Sequence, residues 1–263
     1  MSTNTRPPCV AGYFYPAEPQ VLQNTVNQLL QQAKILGLPA PKAIIAPHAG
    51  YIYSGPIAAT IYKTIIPQQA TIKRVILLGP AHRVGFIGIA TTNMDFFATP
   101  LGNVPIDLPA IKSILNIPEV RVFEHAYDME HSLEVQLPFL QSILSDFKIV
   151  PCVVGNANPH TVAQVLETLW GGPETLIVIS SDLSHYYDYA TAQKLDTATS
   201  EAIVNLTPDK IADNQACGRL PVKCLLLAAA KLKLQAQLLD LRNSGDTAGD
   251  KNRVVGYGAY HFV

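Results

Sequence analysis

Short apolar runs recur along this chain, each bounded by turn residues and separated from the next by a stretch long enough for a helix. Ala43–Ala46 (AIIA), residues 74–78 (RVILL), 86–90 (FIGIA), Lys148–Val154 (KIVPCVV) and 176–179 (LIVI) are of strand length and show no polar alternation. That pattern marks strands buried on both faces. Helical spacing fills residues 18–36, where Leu22, Val26, Leu29, Ala33 and Leu36 share a face, and also 56–65, 130–144, 161–170, 190–206 and 221–233. Two further strands, 235–241 and Val254–Phe262, close the chain. Strands alternating with helices predict an α/β fold, a three-layer αβα sandwich with a largely parallel central sheet. Residues 91–123 are richer in proline and read as an excursion such as a hairpin, and 243–252 as a mobile loop.

The 263 residues suit one α/β domain spanning 1–263. Hydrophobic residues make up 48% and charged residues 15%, so much of the chain must be buried. The net charge is −1 without a lysine or arginine block, which argues against nucleic-acid and anionic-membrane partners. The N-terminal MSTNTRPPCVAGYFYP has no apolar segment of signal-peptide type, and no apolar run approaches the roughly 18 residues that span a bilayer. The expected location is cytoplasmic. Cys9, Cys152, Cys217 and Cys224 form no CxxC pair, so any cysteine that matters acts singly, as a ligand or a reactive thiol.

In open α/β sheets ligands gather beyond the carboxyl ends of the strands. Three histidines fall there: His48 after AIIAP, His82 after VILLGPA and His185 after LIVISSDLS. Asp182, three residues before His185, is placed to orient it or a bound water, or else is a turn residue. In EHSLEVQLPFL, His131 and Glu134 are three apart on an expected helix that Asp128 would cap. Either both point into the crevice, or Glu134 only stabilises the helix start and His131 lies on the surface. Cys217 precedes Gly218 and a helix opened by Pro221, and that helix start together with Arg219 favours a thiolate. Cys224, inside the helix, reads as a small hydrophobe, and His125, His160 and His261 as structural. Two histidines and a thiolate make an open metal site suited to iron, copper or zinc rather than magnesium or calcium.

The segments PHAGYIYSGP, LGPAHR, EHSLEVQLPF, SSDLSHY and ACGRLPV, in that order, together resemble the Memo family. The resemblance runs from AGYFYP near the N-terminus to the closing GYGAY. The family is found in bacteria and archaea as protein B of the AmmeMemoRadiSam system and in animals as a cell-motility mediator. Its fold is similar to that of the class III extradiol dioxygenases, which hold iron with two histidines and a carboxylate. The resemblance implies one metal ion, iron or copper with zinc possible, held by His48, His82 and Cys217, with His185 and Asp182 as the acid/base pair. Cys217 stands where the dioxygenases use a carboxylate, and a thiolate is itself oxidisable. The leading expectation is a metal-dependent redox enzyme, with zinc-dependent hydrolysis as an alternative. A non-catalytic module is the third: its crevice, walled by Phe14, Tyr51 and Tyr53, would hold a small molecule, a peptide or a partner, as animal members are reported to do with phosphotyrosine segments. The system's name also implies functional association with AMMECR-type and radical SAM proteins.

Overall fold

A computed structural model of the chain describes residues 4–34 and 37–263. Its strands are β1 (Thr5–Arg6), β2 (Ala43–Ala46), β3 (Arg74–Pro80), β4 (Ile89–Thr91), β5 (Phe96–Thr99), β6 (Gly102–Pro105), β7 (Val120–Val122), β8 (Lys148–Val154), β9 (Thr175–Ser180), β10 (His185–Tyr187), β11 (Ala236–Asn243) and β12 (Val254–Phe262). Its α-helices are α1 (Pro19–Gln32), α2 (Tyr51–Tyr62), α3 (Leu108–Ile114), α4 (Leu137–Ile143), α5 (Pro159–Leu169), α6 (Tyr189–Val204) and α7 (Arg219–Leu232). The Leu36 end of the first expected helix lies outside the described residues. No helix is long and apolar enough to cross a membrane among the described residues.

The apolar runs become the centre of the sheet because they have no polar face to leave in water. Every residue of β2 and β9 is buried, as is β3 after Arg74 and β8 after Lys148. These four pair in parallel in the order β2-β9-β3-β8. Helices α1, α2 and α4 pack together on one face, and α5, α6 and α7 cover the other, giving three layers.

The sheet as a whole is mixed, which corrects the expectation of a largely parallel one. Antiparallel β12 adds beside β2 and carries antiparallel β10 and β11, while β4 meets β8 antiparallel and carries β7 in parallel. A buried antiparallel strand such as β12 has the same unbroken apolar character as a parallel one, so pattern cannot assign its direction. Residues 91–123 do contain a hairpin, β5-β6, and β1 joins it to form a separate three-stranded sheet.

Two helix boundaries differ from expectation for the same reason, the position of a proline. α2 begins at Tyr51, five residues before Pro56, which sits inside the helix; the helix keeps its buried face of Ile57, Ala58 and Ile61. Residues 130–133 are not helical: a 3-10 turn occupies Glu134–Gln136 and α4 starts only at Leu137, with Pro138 in its first turn. Proline in a first turn loses no hydrogen bond, so Pro138 marks the start that the run EHSLEVQ concealed. Asp128 therefore caps no helix there and instead pairs with His125.

Candidate metal centre

Three neighbouring central strands, β2, β9 and β3, end on the same edge of the sheet, and each is followed by a histidine loop. His48 follows β2, His82 follows β3, and His185 follows β9 on the short edge strand β10. A fourth histidine, His131, arrives on the irregular segment before α4. That segment is pinned to the strand ends: the Ser132 hydroxyl donates to the Pro80 carbonyl (2.8 Å) and the Ser180 hydroxyl donates to the Ser132 carbonyl (2.5 Å). His131 is thereby laid between Phe14 and His82, with ring centroids 4.5 and 4.6 Å away.

His48, His82 and His131 each offer a nitrogen within 4.8 Å of the others, a cluster able to hold a metal ion. The hydrogen bonds behind two of the rings settle which nitrogen is bare. The Ser180 hydroxyl spends its proton on Ser132, so at 2.8 Å from His48 Nδ1 it accepts, leaving His48 Nε2 with its lone pair. Glu130 Oε1 lies 2.9 Å from His82 Nδ1, and a carboxylate only accepts, so Nδ1 carries the proton and Nε2 of the neutral ring is the bare one. His131 Nδ1 is buried with no hydrogen-bond partner.

Charge favours the same reading. Burial, reinforced by the neighbouring imidazoles, holds His48 well below the usual histidine range. Burial and then His82 lower His131 to about 4. Both rings are neutral near pH 7 and offer lone pairs, as metal ligands must. Burial works against the Glu130 charge, but the hydrogen bonds from the His82 ring and from the His82 and Ser132 backbone N–H groups outweigh it and hold the carboxyl at about 2. Two neutral imidazoles, one with an orphaned buried nitrogen, and a third backed by an anion fit a borderline-soft cation such as iron, copper or zinc.

Cys217 Sγ stands 3.2 Å from His48 Nε2 and within reach of the Asp182 backbone N–H (3.3 Å). Its thiol is pushed up, chiefly by burial and then by Asp182, so without a cation it is protonated. The expected thiolate assistance from Arg219 is absent because that guanidinium turns to Asp213, 3.1 Å away. Asp182 does not hydrogen-bond His185: its Oδ1 accepts the His48 backbone N–H (2.7 Å), and burial raises its carboxyl to about 6. His185 donates from Nδ1 to the Leu183 carbonyl (2.8 Å), which leaves its Nε2 bare as a proton acceptor. Glu134, expected beside His131, faces the other way: it pairs with Arg6 (2.9 Å) and accepts from the N–H groups of Cys9 and Val10 and the Tyr15 hydroxyl.

These groups surround a cleft of about 750 Å³ lined by Phe14, His48, Tyr53, His82, His131, Asp182, His185 and Cys217. Tyr51 is not part of its wall. As the first residue of α2 it turns into the core against Phe139, and its hydroxyl donates to the Val135 carbonyl (2.7 Å). Arg83, Tyr186, Asp250, Arg253 and Tyr257 also line it without having been expected there. Glu130 and Ser180 were also missed, although both stand at the end of an expected element and next to a polar cluster. A larger groove of about 840 Å³ beside α6 and β11 contains no histidine or cysteine.

Residues 6–261 match the family model described as "Memo-like protein". A "MEMO1 family protein" of Aquifex aeolicus is 38% identical, covering 96% of this chain and 97% of that one. Proteins described in the same words from Nitrosopumilus maritimus (36% identical, 98% and 99% covered) and Methanosarcina mazei (35%, 97% and 97%) are similar along their whole length. Among solved structures, an uncharacterized protein from Escherichia coli K12 has the same fold, with a TM-score of 0.51, 14% identity, and coverage of 83% of this chain and 99% of that one.

Proposed function

The chain belongs to the Memo-like protein family, and from that premise we propose that its cleft is a metal-dependent redox site acting on a small anionic molecule. The observation that carries this reading is the approach of three imidazoles from separate loops to within 4.8 Å of one another. His48, His82 and His131 would hold the ion, with Cys217 beside His48 as a further soft donor. An iron or copper ion bound there would supply electron transfer at positions open to the cleft. The other tasks fall to the chain itself. His185, with Nε2 bare, accepts and returns a proton. Phe14 and Tyr53 offer faces for an unsaturated or aromatic ligand.

Support for an anionic ligand comes from Arg83 and Arg253. Both line the cleft, and neither has a carboxylate within ion-pair distance among the described residues. Arg253 instead lies over the Tyr186 ring, 5.1 Å from its centroid. Two guanidiniums without an ion-pair partner, in a cleft that Asp182 and Asp250 also line, offer paired donors to a carboxylate or a similar anion.

The experiment is anaerobic purification and metal analysis, then titration with Fe(II), Cu(I) and Zn(II) and a redox assay with and without dioxygen. One ion per chain, lost in His48→Ala, is the expected result. Wild-type protein that binds these ions no better than His48→Ala would end the metal reading, and a metal-loaded protein that exchanges no electrons would end the redox part.

A further inference from the structure

We infer that Glu130 is the positioning residue that prepares His82 for the ion, an inference that rests on the cleft holding one. Glu130 belongs to neither the imidazole cluster nor the cleft wall, and its side chain is 1% exposed. A buried carboxylate of this kind needs a compensating role. Every hydrogen bond it makes is with an N–H of the site's own loops. Oε2 accepts the backbone N–H of His82 at 2.5 Å, while Oε1 accepts the backbone N–H of Ser132 at 2.8 Å and faces His82 Nδ1 at 2.9 Å. The same Oε1 lies 3.6 Å from the orphaned Nδ1 of His131. One buried anion thus stands behind two of the three imidazoles.

The consequence is chemical as well as geometric. Because a carboxylate cannot donate, the His82 proton is confined to Nδ1 and the lone pair is delivered at Nε2. The backbone bonds to His82 and Ser132 tie the loop after β3 to the segment before α4, so the distance between two imidazoles is set through the same side chain. The negative charge also strengthens the imidazole as a donor to a cation.

A glutamine at this position keeps the shape and removes both properties. Its NH2 group must replace one of the two oxygens. On either side it meets a backbone donor, the His82 N–H at 2.5 Å or the Ser132 N–H at 2.8 Å; the Ser132 side has the longer contact and alone offers an acceptor, His82 Nδ1, so the NH2 group goes there and donates to it. The His82 proton then moves to Nε2, where it blocks the ligand position.

The test is the tautomer of His82 in metal-free protein, read from imidazole 15N shifts, together with Zn(II) affinity in wild type, Glu130→Gln and Glu130→Asp. The expected wild-type spectrum has Nδ1 protonated and Nε2 bare. Glu130→Gln should move the proton to Nε2 and weaken Zn(II) binding by roughly 10- to 100-fold, and Glu130→Asp, which keeps an acceptor-only group, should hold the wild-type tautomer. A merely structural role would change melting temperature without moving the proton. Wild-type protein with the proton on Nε2 overturns the inference, and that measurement needs no variant to fold. So does a Glu130→Gln protein with the wild-type tautomer and affinity. Should wild type take up no ion, the redox reading of the cleft falls by itself, and the tautomer comparison still decides whether Glu130 governs His82.

Discussion

His131 and Cys217 both lie next to His48, and replacing each separates two possible ligand sets. If the three imidazoles hold the ion, His131→Ala should weaken Zn(II) binding as severely as His48→Ala, by more than about 100-fold, while Cys217→Ser stays within about tenfold of wild type. Titration of the three variants decides it; the reverse order would make the thiol the third ligand. His185→Ala should keep the ion and lose turnover by a factor on the order of 100, since its bare Nε2 faces the cleft and only a proton is at stake. Glu134 has a purely structural part to test. It is the buried partner of Arg6, and removing it strands the guanidinium and the Cys9 and Val10 N–H groups, so Glu134→Ala should cost about 3–5 kcal/mol in denaturant unfolding. Burial would raise its carboxyl, but Arg6 and the Cys9 and Val10 N–H groups hold it below its unfolded value of 4.5. A depressed carboxyl stabilises the fold fully above the unfolded value, and that contribution is lost as pH falls through the folded one. Stability measured from neutral pH down to below 4.5 should therefore fall more steeply in wild type than in Glu134→Gln.

Elements whose ends are marked by side chains carry their boundaries in the sequence, although the expected helix 161–170 began two residues past such a mark, and those that depend on packing do not. α5 has a local start signal: Asn158 accepts the His160 backbone N–H at 2.9 Å, and Pro159 occupies the first turn. Asn158→Ala should cost about 1 kcal/mol in denaturant unfolding without altering metal affinity, and a change in affinity would show that this helix end communicates with the cleft. The segment 130–136 shows the opposite case. Its residues fit a helix by spacing, yet Ser132 and Glu130 are held by partners on β3, β9 and the His82 loop, so the backbone follows tertiary hydrogen bonds instead. That departure is what turns His131 toward His82 and Glu134 toward Arg6. A regular helix would have put both on one face.

At the scale of the molecule, the cleft exists because loops far apart in the chain end on one sheet edge, and their approach can be tested where it is tightest. A Cβ on Gly218 would sit 2.8 Å from Ser181 Cβ and 2.9 Å from the Ser180 carbonyl, beside the serine that holds His48. Gly218→Ala should therefore lose about 1–3 kcal/mol of stability, and Zn(II) should raise its melting temperature less than it does in wild type. An unchanged metal response would mean that this contact carries no constraint on the site. The sequence by itself determined the buried centre of the sheet, from unbroken apolar runs, its parallel pairing, from the helix-length stretches between those runs, and the strand-end placement of His48, His82 and His185, because chain neighbours must follow the strand that precedes them. Its motifs also sufficed to indicate the family. Only the tertiary structure decided the antiparallel edges, the withdrawal of Tyr51 into the core, the turning of Asp182 to His48, and the meeting of His131 and Glu130 with His82. Each of these depends on which buried donor finds which acceptor across the fold, and spacing along the chain does not encode that distance.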